Sequence, residues 1–183
     1  MRRPCLFLAL SLAAAGIARA TTLVRMSIAE LTAAAPVVAR VRCVANSPRW
    51  QEGEIWTITT LDVVEVWKGR APARITVRLI GGRMGHLIST VAGVPRFVPG
   101  AEVILFLEPK GHDEFSVTSW AQGTFRIAHD GATGGETVTQ DTAGYSAADP
   151  VSRRYPSGVI RHLPLEQFRR LVLAAETGNG SDK

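Results

Sequence analysis

Between two helical ends, most of this chain alternates apolar and polar positions with a period of two. Val37, Ala39, Val41, Cys43 and Ala45 fall on one side of an extended chain with Arg40 and Arg42 on the other, which predicts a half-buried strand over residues 37–45. Asn46-Ser47-Pro48 is expected to end it, and Gln51-Glu52-Gly53-Glu54 to form a polar turn. Residues 55–67 are rich in Trp, Ile, Thr and Val and contain neither Gly nor Pro. As a strand they would extend roughly 43 Å at about 3.3 Å per residue, longer than globular strands usually run. Their apolar side shifts from Trp56 and Ile58 to Leu61 and Val63, while Val64 and Val66 take the other face. A bulge is expected near Thr59 or Thr60, with enough curl for this one strand to serve both halves of a barrel.

Lys68-Gly69 supplies the next turn, and Ile75, Val77 and Leu79 alternate with polar residues up to Gly81-Gly82. A short exposed strand is expected over residues 87–91. After the turn at Pro99-Gly100, Val103-Ile104-Leu105-Phe106-Leu107 is apolar on both faces and reads as a central strand. Further strands are expected over residues 115–120 and 124–128. Residues 130–158 turn to Gly, Thr, Ala, Asp and Ser, a composition for a hairpin or mobile loop that adds little core. The helical ends have their own signals. Ser27-Ile28-Ala29-Glu30 has capping-box spacing and predicts a helix over residues 28–34, closed by Pro36. Pro164 suits a first helical turn, and Leu165, Phe168, Leu171, Val172 and Ala175 form one helical face, with Arg169 and Arg170 pointing away. Residues 177–183 read as a frayed, disordered tail. The sum is one mainly β domain over residues 21–176, with a short N-terminal helix and a C-terminal helix.

The first 20 residues change where this domain is expected to work. Arg2 and Arg3, an apolar run over residues 6–18 and Ala18-Arg19-Ala20 have the layout of a signal peptide cut before Thr21. The run is about 13 residues, short of the roughly 20 that a spanning helix needs. An exported product, periplasmic or extracellular and without a membrane span after cleavage, is the expectation. The whole chain carries +5, but without Arg2, Arg3 and Arg19 the charge falls to +2. Loss of Cys5 with the leader leaves Cys43 alone, so no intrachain disulfide can form and the core must hold the fold. A domain of about 150 residues buries enough surface to do so. Cys43 itself reads as a small buried hydrophobe.

Candidate chemistry is sparse. His86, His112, His129 and His162 are at least 17 residues apart, unlike the close ligand pairs of zinc sites. Ser89 near His86, and His129 beside Asp130, lack a Gly-x-Ser-x-Gly elbow to support a nucleophile. Glu52 and Glu54 sit in the expected turn as solvated charges. Gly81-Gly82-Arg83-Met84-Gly85-His86 lacks the Lys-Ser/Thr end of a phosphate loop and reads as a corner requiring positive φ. Arg40, Arg42, Lys68, Arg70, Arg74, Arg78 and Arg83, near Trp50, Trp56 and Trp67, could line a nucleic-acid groove. The low mature charge and the leader argue for a solvated strand face instead. The chain therefore predicts no catalytic residue, metal, cofactor or nucleic-acid partner.

Three elements carry a resemblance: Val63-Val64-Glu65-Val66-Trp67-Lys68-Gly69, the following Ile75-Thr76-Val77-Arg78, and the run from Phe97-Val98-Pro99-Gly100 through Ala101-Glu102-Val103-Ile104-Leu105-Phe106-Leu107. Together, over about residues 36–127, they resemble uncharacterised bacterial exported proteins related to the netrin-like domain, the OB-type barrel of the tissue inhibitors of metalloproteinases. Gly81 to Gly85 and Gln122 to Arg126 match a Gly-Gly-Arg-x-Gly corner and a Gln-Gly-x-Phe-Arg strand of that group. The resemblance implies an OB-like closed or partly open β-barrel. The inhibitors chelate zinc with an N-terminal cysteine, whereas this mature chain would begin Thr21-Thr22, so no inhibitory residue carries over. The leading expectation is a non-catalytic exported module that binds an unknown protein or other envelope component. Arg83, Met84, His86, Arg96 and Phe97, in the long connection over residues 81–99, are the candidate contact residues. A protease inhibitor without the cysteine chelate, and a hydrolase with a site assembled from distant residues, are the alternatives.

Overall fold

The computed structural model describes residues 25–131, 134–141 and 159–179. Its first helix, α1 (Ile28–Ala34), starts on the expected capping box: the Ser27 hydroxyl accepts from the Glu30 amide at 3.2 Å, and Glu30 accepts from the Ser27 amide at 2.7 Å. Ten strands follow in chain order: β1 (Val37–Gln51), β2 (Glu54–Lys68), β3 (Arg74–Ile80), β4 (Gly82–Met84), β5 (Leu87–Ser89), β6 (Glu102–Pro109), β7 (Glu114–Val117), β8 (Thr124–His129), β9 (Glu136–Gln140) and β10 (Leu163–Pro164). The last helix is α2 (Leu165–Asn179). The fold is mainly β, and no helix among the described residues is long and apolar enough to cross a membrane.

Eight strands form one sheet, and five of them close a ring in the order β1-β2-β3-β7-β6 and back to β1. Neighbours are antiparallel except at β3 and β7, which meet in parallel through Thr76↔Glu114 and Val77↔Phe115. From β6 the sheet also branches outward through β8, β9 and β10. The element that serves two sides of the ring is β1, which pairs along its length with β2 and through Val37 to Arg42 with β6. Sequence reasoning assigned that role to β2.

The β1 strand also does not stop at Asn46-Ser47-Pro48. It continues to Gln51 and turns through Glu52 (φ 54) and Gly53 (φ 82) into β2, a two-residue hairpin with both central residues left-handed. Proline is accommodated because this half of β1 has only β2 as a strand partner, leaving one side without a ladder to break. Nor is the expected bulge in β2 at Thr59 or Thr60. From Ile55 to Val63 the inward side runs unbroken through Thr57, Thr59 and Leu61, while Trp56 faces out beneath the Arg78 guanidinium, 4.2 Å from the ring centroid. The pairing slips instead between Cys43 and Ala45 on β1, and twice near the end of β2, where Val64 and Trp67 are the extra residues.

Two apolar cores result, one on each face of β1 and β6. Val103, Leu105 and Leu107 point into the ring with Val41, Cys43, Leu61, Ile75 and Val77. Ile104 and Phe106 point out, where Phe125, Val138, Phe168 and Val172 cover them. Phe106 lies 5.6 Å from Phe125 and 6.5 Å from Phe168 between ring centroids. The strand expected to be central is thus buried on both faces because the ring fills one side and the helices close the other.

Other boundaries also differ from expectation, β5 ending at Ser89 rather than Val91. β7 ends at Val117, because Ser119 (φ 51) and Trp120 (φ 49) are left-handed and lead into a 3-10 turn, Trp120–Gly123. Gly123 is needed there: a Cβ would stand 2.1 Å from the Thr118 carbonyl oxygen. β9 folds back on β8 as a hairpin, one of the two forms expected for residues 130–158, but its Val138 is fully buried where little core was expected; residues 132–133 and 142–158 of that stretch fall outside the described residues. Pro164 pairs with Thr137 in β10 and α2 begins after it, continuing through Thr177 and Gly178, where a tail was expected. On α2, Leu171 is 44% exposed rather than buried, and Arg169 does not point away: it pairs with Glu65 and lies 5.9 Å from the Trp67 ring.

Candidate functional site

The connection from β3 to β6 folds back over one end of the ring. Gly81 (φ 91), Gly82 (φ 144) and Gly85 (φ 61) make the left-handed corners expected of the Gly-Gly-Arg-Met-Gly-His run, and β4 and β5 pair as a small hairpin around the turn at Gly85. The Gly81 amide donates to Ile55 at 2.7 Å, and a Cβ on Gly82 would meet the Thr57 hydroxyl at 2.3 Å, so the corner lies directly against β2. Beyond β5, Arg96 donates to the Ser89 carbonyl at 3.0 Å and the Thr90 hydroxyl at 2.9 Å. Asn46 on β1 donates to the Phe97 carbonyl at 2.8 Å. These bonds hold a cleft of about 420 Å³ between the far half of the β1–β2 hairpin and the 91–98 segment.

The floor of the cleft is apolar, with Pro48, Leu79, Val94 and Pro95 among its walls. Its polar side chains are already committed. Asn46 accepts from Thr59 at 2.7 Å while donating to Phe97, and Thr57 donates to the Gly81 carbonyl at 2.7 Å. Charge enters through Arg83 and Arg96, both exposed, and among the described residues no Asp or Glu lines the cleft. Arg83 uses only its Nε internally, donating to the Gly85 carbonyl at 3.2 Å.

Three of the five residues singled out from sequence therefore line one cleft: Arg83, Arg96 and Phe97. Phe97 is not a contact residue in the expected sense, because its side chain is 6% exposed and packs in the inner core. Its role is to close that end of the ring, since an aromatic ring gains most by leaving water. Met84 is half-buried and His86 exposed, both outside the cleft lining. Asn46, Thr57 and Thr59 were missed. Thr57 and Thr59 sit on the inward register of β2, but the apolar pattern had assigned that register to Trp56 and Ile58.

The other candidate groups are elsewhere. Glu52 and Glu54 are exposed at the β1–β2 turn. His129 reaches Glu136 at 2.8 Å. Cys43 is buried inside the ring, and that burial pushes its thiol above the ordinary range. Several strand-face arginines are paired within the chain: Arg40 with Glu102 and Glu136, Arg42 with Glu102, and Arg74 with Asp62. Burial pushes the Glu102 carboxyl up, but Arg42 and Arg40 outweigh it and hold the group below the usual carboxylate range. Arg40 holds Glu136 below that range as well. Among the described residues no group of three or more His, Cys, Asp or Glu could hold a metal ion.

A wider groove of about 660 Å³, lined in part by Met26, Ile28, Phe125 and Leu171, runs beside α1. Comparison of the chain with family models and with curated proteins matches none of them.

Proposed function

We propose that this chain is an exported, non-catalytic binding module of the bacterial envelope or extracellular space, and that the cleft at the end of its ring receives part of the partner. The observation that carries the reading is the lining of that cleft. Its inner polar side chains bond to the chain itself, and among the described residues no carboxylate lines the cleft beside the cationic groups at its mouth, Arg83 and Arg96. A mostly apolar lining with cations at its mouth suits binding, since its inner hydroxyls and amide are held in internal hydrogen bonds rather than beside a base that would activate them. The leader-like residues 1–20 support export. The ring order, with β1 shared between two neighbours and one parallel contact, supports an OB-like, partly open barrel related to the netrin-like group.

Photo-crosslinking tests this reading. A photoreactive residue at Val98, 60% exposed on the cleft wall, is expected to give a discrete adduct in envelope preparations. The same residue at Val64, 47% exposed at the far end of β2, is expected to give none. Equal labelling from both positions would end the reading.

A further inference from the structure

We propose that the ligand of this cleft is an aliphatic carboxylate, its chain lying on the apolar floor and its head held by Arg83 and Arg96. The inference rests on the reading of the cleft as a binding site and names the chemistry it takes. Three observations lead there.

The volume comes first. About 420 Å³ lies near the lower end of the roughly 300–1,000 Å³ of small-ligand sites, room for a small molecule. Second is the distribution of polarity. Asn46, Thr57 and Thr59 look polar in the sequence, yet their hydrogen-bonding groups are turned onto Phe97, Gly81 and each other. A ligand reaching past them meets Leu79, Val94 and Pro95 in a lining that is mostly apolar. A peptide threaded there would bury amides against that mostly apolar surface, at the cost of their hydrogen bonds to water. Pro48, on the β1 side, has no N–H with which to extend a strand ladder. A hydrocarbon chain carries no such amides.

Third is the sign of the charge. Two guanidiniums, with no carboxylate lining the cleft among the described residues, favour an anion, and a planar carboxylate fits the guanidinium fork. Arg83 retains its terminal N–H groups, and Arg96, anchored to Ser89 and Thr90 through one nitrogen, retains the others. Neither must break an internal ion pair to bind. This sets them apart from Arg40, Arg42 and Arg74, each already matched to an acid.

Calorimetric titration of the purified protein separates head from chain. Octanoate is expected to bind saturably at one site, acetate not at all, and 1-octanol about tenfold or more weakly than octanoate, the effect of one charge-assisted contact. In the Arg83→Ala/Arg96→Gln double variant, whose second change keeps an amide N–H for Ser89 and Thr90, octanoate should fall to the affinity of octanol while octanol itself is unchanged. That unchanged arm shows that the cleft has kept its shape. The Arg83→Lys/Arg96→Lys variant should recover much of the difference. Equal binding of octanoate and octanol, an unaffected double variant, tighter binding of an acidic apolar tetrapeptide, or no saturable binding of octanoate would each overturn the proposal. A discrete Val98 adduct in the same event would preserve the cleft as a site and remove only its assignment to an aliphatic carboxylate.

Discussion

Single residues do work in this fold that their chemistry alone does not announce. Asn46 interrupts an apolar alternation and would ordinarily bend a strand, yet its side chain bridges Thr59 and the Phe97 carbonyl and so ties β1 to the loop over the ring. Gly123 supplies absence: with 2.1 Å between its ideal Cβ and the Thr118 carbonyl oxygen, any side chain must push the backbone of the 3-10 turn away from β7. Gly123→Ala is therefore expected to destabilise by about 1–3 kcal/mol or more, the usual cost of overpacking. Urea unfolding measures it, and a loss below 0.5 kcal/mol, the scatter typical of surface changes, would show that the turn can move aside. Neither role was legible in sequence, because each depends on an atom many residues away or on a turn that only a left-handed Ser119 and Trp120 create.

Among the elements, β6 is the one whose burial could be read directly from its residues. Five consecutive apolar side chains admit no solvent face, and the two cores on either side of the strand are the consequence. Phe106→Ala should cost about 3–5 kcal/mol, the range for emptying a buried aromatic site, since this side chain is fully buried among Phe125 and Phe168. A denaturation midpoint implying less than 1 kcal/mol would mean that the outer core closes over the gap. The capping box of α1 was equally legible, because both of its bonds lie within four residues. By contrast β9 carries one large apolar residue, Val138, among threonines and looks like loop by composition. It becomes a strand because β8 offers an edge and Phe168 a surface to cover.

At the scale of the whole molecule, an ion-pair network joins parts of the chain that local pattern cannot relate. Arg40 on β1 donates to Glu102 on β6 at 2.6 Å and to both carboxylate oxygens of Glu136 on β9, linking the ring to its outer branch. Both carboxyls are held below their ordinary range, so the stability they confer is complete above the unfolded glutamate pKa of about 4.3 and is lost as pH falls through the lower folded values. The urea midpoint should accordingly be flat from neutrality to about pH 5 and decline below it. Arg40→Met should lose about 1–3 kcal/mol at neutral pH and decline less steeply on acidification. Parallel acid profiles for the two proteins would show that other carboxylates govern the decline. By itself, the amino-acid sequence determined the first half of β1, the extents of β2, β3, β6 and β8, which strand is buried on both sides and where α1 begins, because periodicity and capping act between near neighbours. Only the tertiary structure decided that β1 is the strand shared across the ring, that the bulges fall at Val44, Val64 and Trp67, and that Asn46, Thr57, Arg83 and Arg96 border one cleft. Those facts depend on which strands meet, and strand pairing is settled by the long-range burial of both cores together.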